Sequence, residues 1–212
     1  MSAYADQEEL EKLKSWWKEY GNSLIFGIAL GAAILVGVRY WNQYTEQRLE
    51  QASVLYEQLL QEFNLKSKDA ARNSGSKLVT EYASTPYAGL AGLMLAYMDF
   101  EAGDKSAARR QLQWVVDHAE DEAVAHAARL RLARLYFGDG EKDAALALLN
   151  VNGEGGFKSE YAELRGDIYL AQGEKNRARV AYREALRTLP PDSPYAQILN
   201  IKLDDLEPDK AP

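Results

Sequence analysis

His118 and His126, eight residues apart, are the two histidines of a 212-residue chain that has no cysteine. A zinc helix sets two histidines four apart on one face, and neither of these has such a partner or a thiolate to complete a site. Both read as surface side chains on Glu- and Ala-rich stretches. The glycines of Asn152-Gly153-Glu154-Gly155-Gly156 lack the Lys-Ser/Thr ending of a phosphate-binding loop, and no nucleophile elbow occurs. Asp204 and Asp205 form an acid pair on a terminal helical stretch and face solvent in this reading. The expectation is therefore a protein without catalytic, cofactor or metal site: a binding protein, not an enzyme. The lack of cysteine also excludes disulfides and a cysteine-linked lipid anchor. With a net charge of −7 and no block of Lys and Arg, nucleic acid is set aside as a partner.

What remains is apolar chemistry, and the elements that carry it are helices. Nineteen uncharged residues, Tyr20 to Val38, lie between Glu19 and Arg39. As a helix they would rise roughly 28 Å, close to the thickness of a bilayer's hydrocarbon core. The preceding segment mixes Lys12, Lys14 and Lys18 with five acids, and Arg39-Tyr40-Trp41 follows the run where a cleavage site would stand. Both features favour an uncleaved anchor over a signal peptide. Tyr20 on one side and Tyr40 and Trp41 on the other fit aromatic belts. Gly27 and Gly31 form a GxxxG step, and Ala29, Ala33 and Gly37 a second row of small residues, a pattern that lets a neighbouring helix approach closely. Residues 1–22 read as a short tail with an amphipathic pattern, 23–41 as the anchor, 42–206 as a helical domain and 207–212 as a disordered end. In the tail, Leu10, Leu13, Trp16, Trp17 and Tyr20 recur at helical spacing, either along a membrane interface or as a solvated helix entering the anchor. The surplus of Lys before the span favours a cytoplasmic N-terminus only slightly.

Beyond the anchor the fold class is all-α. Ala52, Leu55, Tyr56, Leu59, Leu60 and Phe63 keep helical spacing, and Ala-rich helices then alternate with Gly103-Asp104, Gly140-Glu141 and Gly173-Glu174 turns. The turns are 37 and 33 residues apart, a period that signals stacked helix pairs. These copies resemble the tetratricopeptide repeat. The best has Gly166, Tyr169, Gly173, Ala178, Tyr182, Ala185 and Pro190 at the repeat's positions. Earlier copies contain Leu132, Ala133, Tyr136, Gly140 and Ala145, and Leu95, Ala96, Gly103 and Ala108, with Asp99 where an aromatic is usual. Arg165 stands in place of the usual Leu. A helix over Asn73–Tyr82 reads as half of a more degenerate copy. Three to four hairpins form an α-solenoid, and a last helix with Ala196, Leu199, Leu203 and Leu206 caps its end.

The order of parts is more specific than the repeats. Leu13-Lys14-Ser15-Trp16-Trp17-Lys18-Glu19-Tyr20-Gly21, the Gly-rich span, Arg39-Tyr40-Trp41-Asn42 and the ending Ile201-Lys202-Leu203-Asp204-Asp205-Leu206 together resemble the YfgM family of ancillary subunits of the bacterial Sec translocon. The resemblance covers nearly the whole chain. It implies an inner-membrane protein with a cytoplasmic N-terminus and a periplasmic repeat domain, associated with the SecYEG translocon and with a membrane-anchored periplasmic chaperone of the PpiD type. It implies no catalytic residues and no cofactor.

In tetratricopeptide repeats the first helix of each hairpin lines the concave face. That resemblance places Leu90, Leu93, Tyr97 and Phe100 there from one copy, Leu130, Arg134 and Phe137 from the next, and Asp167 and Leu170 from the last. Leu93 and Tyr97 exclude the Lys, Arg and Asn set with which some repeats grip a C-terminal carboxylate. An apolar and aromatic lining suits a hydrophobic segment or helix, while ordinary core packing between hairpins explains the same residues. Two functions follow from such a surface: an accessory subunit docking a chaperone and emerging chains at the translocon, or a membrane-tethered scaffold for envelope assembly or division. The scaffold would be favoured by a coiled-coil seam next to the membrane, but Gln43, Gln47 and Gln51 interrupt any heptad there.

Overall fold

Gly103, Gly140 and Gly173 hold φ near +80° (+81°, +84° and +83°), a left-handed conformation that costs glycine least. Each ends a helix in the same way. The amide of Asp104 donates to Asp99 O, that of Glu141 to Tyr136 O and that of Glu174 to Tyr169 O, each at 2.9 Å and each spanning five residues. These are Schellman closures, which satisfy the last carbonyls of one helix and turn the chain back into the next. The 37- and 33-residue spacing seen in the sequence is therefore the spacing of one structural unit.

The computed structural model describes residues 2–151, 153–190 and 192–206, with side chains described for the same residues apart from 2–9, 12, 13, 23, 24, 28 and 29. The expected disordered end, 207–212, lies outside the described residues. Nine α-helices follow one another among the described residues: α1 Ser2–Asn64, α2 Lys68–Glu81, α3 Pro86–Glu101, α4 Lys105–His118, α5 Glu122–Gly138, α6 Lys142–Leu148, α7 Lys158–Ala171, α8 Lys175–Thr188 and α9 Ala196–Asp204. A short 3-10 turn, Gly155–Phe157, precedes α7. No strand occurs among the described residues.

The chain divides into two compact units, 1–51 and 52–212. The first is entirely helical among its described residues, and α1, which runs through it, is the one helix among the described residues long and apolar enough to cross a membrane. Phe26, Leu30, Ile34, Leu35 and Val36 all point outward with most of their surface uncovered. In water such a row would be costly, whereas in a bilayer it meets lipid. A Cβ on Gly27, Gly31 or Gly37 would meet nothing within 4 Å, and Ala33 is likewise exposed.

The second unit is the solenoid. Residues 52–64 of α1 pair with α2, then α3 with α4, α5 with α6 and α7 with α8, so there are four hairpins, with α9 packed on the last. α3 also touches α5, and α5 touches α7, which places the first helices of successive hairpins side by side. The core is four linked clusters rather than one. Ala52, Leu59, Leu78 and Met98 tie the first hairpin to α3. Ala96, Leu112, Val115 and Leu132 tie the second hairpin to α5. Leu130, Leu149, Tyr161 and Ile168 join the third to α7, and Ala162, Tyr182, Leu199 and Leu206 close the fourth under α9. Each fully buried Leu or Ile contributes about 1.5–3 kcal/mol, and every cluster needs more than its own hairpin: the first three draw on the next hairpin and the last on α9.

Two details differ from the sequence expectation. α2 begins at Lys68, five residues before Asn73, because Ala71 is fully buried and draws the polar stretch before it into the helix. α6 has only seven residues and stops where the glycine-rich stretch begins. The departures from the repeat pattern are explained by pairing. Asp99 is buried and forms an ion pair with Arg72 of the preceding hairpin. Arg165 reaches Glu154 at 2.8 Å and Leu149 O at 3.2 Å, bracing the irregular connection between α6 and α7. Between hairpins, Lys105 and Arg109 hold Asp139 at the next turn, and Lys142 donates to Ala171 O at the one after.

Candidate functional site

α3 divides its side chains by size. Small residues (Ala88, Gly89, Ala91, Gly92) and Leu95 face its neighbours, so α4 comes close enough that a Cβ on Gly92 would overlap Val115. The large residues Leu90, Leu93, Tyr97 and Phe100, at spacings of 3, 4 and 3, are left on the open side. Pro86 opens the helix at its first position, where its missing N–H costs nothing.

This open side is one wall of a groove of about 640 Å³. Tyr56 and Phe63, from the end of α1, form a second wall, and Arg131, Arg134 and Leu135 of α5 a third, with Met94, Ala96 and Leu112 between them. Tyr97 is 51% exposed and Phe100 45%, a costly arrangement for aromatic rings. The Phe63 and Tyr97 rings meet edge to face at 6.0 Å, which fixes the corner between the walls. Arg131 and Arg134 are exposed, and neither makes a salt bridge among the described residues.

Five of the eight residues expected to bind a partner thus surround one groove: Leu90, Leu93, Tyr97, Phe100 and Arg134. The other three lie elsewhere. Leu130 is a correction: at 3% exposure it belongs to the core between α5 and α7, because that side of α5 is covered by α7. Phe137 packs half-buried on the same cluster. Leu170 is 38% exposed on α7 and outside the groove. Asp167, also expected on the lining, accepts from Tyr182 Oη and Lys202 Nζ, both at 2.7 Å. Tyr56, Phe63, Met94, Arg131 and Leu135 were not expected. For Tyr56 and Phe63 the signal was present: seven residues apart, they share a helix face.

The histidines require a second correction. His118 is exposed and stacks on Trp114 at 4.9 Å, as a surface residue can. His126 is buried at 7%, with Nδ1 2.9 Å from Tyr161 Oη and Nε2 3.2 Å from Gly153 O. It fastens the glycine-rich connection, which folds back over α5. The pairing is structural, and among the described residues no group of three or more His, Asp or Glu side chains could hold a metal ion.

Charge at the C-terminal end is used for closure. Lys202 of α9 contacts Glu163 and Asp167, each at 2.7 Å, and Tyr195 donates to Glu163 at 3.0 Å. Burial works against the Lys202 ammonium, but hydrogen bonds to Asp167 and Glu163 prevail and hold it above the usual lysine range. Burial first, and Asp167 second, push the Tyr182 phenol well above its ordinary value, so it stays a neutral donor.

A family model described as a tetratricopeptide repeat-like domain matches residues 14–208. Several curated relatives align over most of the chain. A protein of Haemophilus influenzae named ancillary SecYEG translocon subunit is 33% identical over 181 residues, 85% of this chain and 88% of its own length. Proteins of the same name from Neisseria gonorrhoeae and Escherichia coli are 32% identical over 203 residues and 30% identical over 184. They cover 95% and 86% of this chain, and 97% and 88% of their own lengths.

Proposed function

The chain belongs to the tetratricopeptide repeat-like family of ancillary SecYEG translocon subunits, and on that premise we propose that it is a non-catalytic, membrane-anchored accessory subunit of the translocon whose solenoid groove docks a partner protein. The anchor is the apolar segment of α1, with the N-terminus cytoplasmic and the repeat domain periplasmic. The partner is a membrane-anchored periplasmic chaperone of the PpiD type, held so that emerging secreted or membrane proteins meet it at the exit of the channel. Gly27, Gly31, Ala33 and Gly37 are the proposed contact rows for a second helix within the membrane, since small side chains let backbones approach.

The observation that carries this reading is the half-exposure of Tyr97 and Phe100 on the wall of an apolar groove, in a chain that also has a span-length apolar helix. Buried aromatic anchors dominate protein interfaces, and half-exposed ones have most to gain from a partner. The test is copurification from gently solubilised membranes, comparing the natural chain with Tyr97→Glu. Translocon subunits and a chaperone should copurify with the first, and the chaperone should be lost from the second. Recovery of envelope-assembly or division proteins in place of translocon subunits would replace this reading with that of a scaffold.

A further inference from the structure

Resting on the groove as a docking site, we infer that its occupant is an amphipathic helix whose apolar face is bordered by carboxylates, which Arg131 and Arg134 select. Three observations lead there. The first is charge. Arg131 and Arg134 are the charged side chains of the lining, three residues apart on the same side of α5. Four arginines elsewhere in the solenoid are neutralised by acids (Arg72 by Asp99, Arg109 by Asp139 and Glu141, Arg165 by Glu154 and Arg177 by Glu174), but none of these lines the groove. Glu163 and Asp167 of the fourth hairpin are taken by Lys202. Arg131 and Arg134 therefore put positive charge at the border of an otherwise apolar lining, with no acid of the groove itself to neutralise it. An apolar occupant laid over them with no acid would strip their water without replacement, whereas carboxylates make charge-assisted, two-pronged hydrogen bonds to them.

The second observation is the backbone. All three walls are helices, whose own N–H and C=O groups are already paired. An extended peptide would bring its backbone groups into an apolar groove that offers no edge to pair with, while a helix satisfies its own. The third is spacing. Leu90, Leu93, Tyr97 and Phe100 extend over about 15 Å of α3, the length that anchors at i, i+3 or i+4, i+7 and i+10 of a docked helix would cover.

The test uses the full chain in lipid nanodiscs and synthetic labelled peptides of about five helical turns. One peptide carries Leu and Phe on one face bordered by Glu, its twin has Lys at the Glu positions, and a third has the apolar face replaced by Ser. Fluorescence anisotropy should show the Glu peptide binding about tenfold or more tightly than the Lys twin, with the advantage shrinking at about 1 M salt, and no binding of the Ser peptide. The double variant Arg131→Glu, Arg134→Glu, at two exposed positions, should keep its melting temperature and reverse the preference. Equal binding of Glu and Lys peptides, both abolished by Tyr97→Glu, would overturn charge selection and leave the docking groove standing. Binding of neither peptide, or binding indifferent to Tyr97→Glu, would remove the groove reading and this inference together. Displacement of the bound Glu peptide by dodecanoate at equal concentration would assign the groove to a fatty acid and overturn the helix.

Discussion

The ring of Tyr182 lies against the backbone of Gly166, with its Cδ1 2.5 Å from where a Cβ on that glycine would stand. α7 and α8 touch at this point, and the ring has no room to withdraw: it is fully buried and its hydroxyl is bonded to Asp167. Gly166→Leu should therefore destabilise the domain by about 1–3 kcal/mol, read as a lower melting temperature. Gly138→Ala is the control. Its Cβ would meet nothing within 4 Å in a helical position, so it should be neutral or stabilising by about 0.5–1 kcal/mol. Unchanged melting of Gly166→Leu would refute the close contact.

Tyr97 and Phe137, both expected on the concave face, should respond differently to the same substitution. Tyr97→Glu places a charge on a half-exposed rim and should change stability by no more than about 0.5 kcal/mol while removing partner copurification. Phe137→Glu pushes a charge toward the cluster around Leu130 and Leu149 and should cost roughly 2 kcal/mol or more. Circular dichroism melts on the two variants separate these outcomes, and equal losses would mean that the groove wall is core.

Acid should loosen the seam between the second and third hairpins. The hydrogen bond from Lys105, opposed by burial and aided by the charges of Lys105 and Arg109, holds the Asp139 carboxyl below the usual carboxylate range. Hydrogen bonds from Ser74 and then Gln58 do the same for Glu62. A carboxyl lowered on folding stabilises fully above its unfolded value and loses that contribution as pH falls through its folded value. Melting temperature should thus be flat near neutrality and fall below about pH 4. Asp139→Asn should melt lower at pH 7 and lose less on acidification. Parallel pH profiles for variant and natural chain would exclude Asp139 from the effect.

Topology has a direct test. A reporter active only in the periplasm, fused after Pro212, should be active, and its cytoplasmic counterpart silent. The reverse pattern would place the solenoid on the other side of the membrane and exclude docking of a periplasmic chaperone.

Much of the fold was legible because its signals are local. A glycine forced to φ near +80° announces its own turn, and Ala178 and Ala185 announce a close helix seam through their spacing. The candidate site was legible in half. The face of α3 followed from the period of one helix. Tyr56 and Phe63 had the same periodicity, yet nothing in their helix says that α3 and α5 will stand opposite. His126 read as a surface residue because its neighbours in sequence are small and polar. Its real neighbours, Gly153 and Tyr161, lie 27 and 35 residues away.

The sequence by itself determined that one apolar segment is long enough for a membrane and that the rest is a stack of helical hairpins. Hydrophobic period, small residues and turn glycines act within a single repeat and need no distant partner. Only the tertiary structure decided which apolar side chains stay open. Leu130 and Tyr97 sit in equivalent first helices and look alike as hydrophobic positions, but α7 covers Leu130 while Tyr97 stays half exposed on the groove wall. Exposure belongs to the pair of neighbours that a residue receives when repeats stack. That Arg131 and Arg134 make no salt bridge among the described residues has the same origin, since a charge finds an acid according to what folding brings within reach.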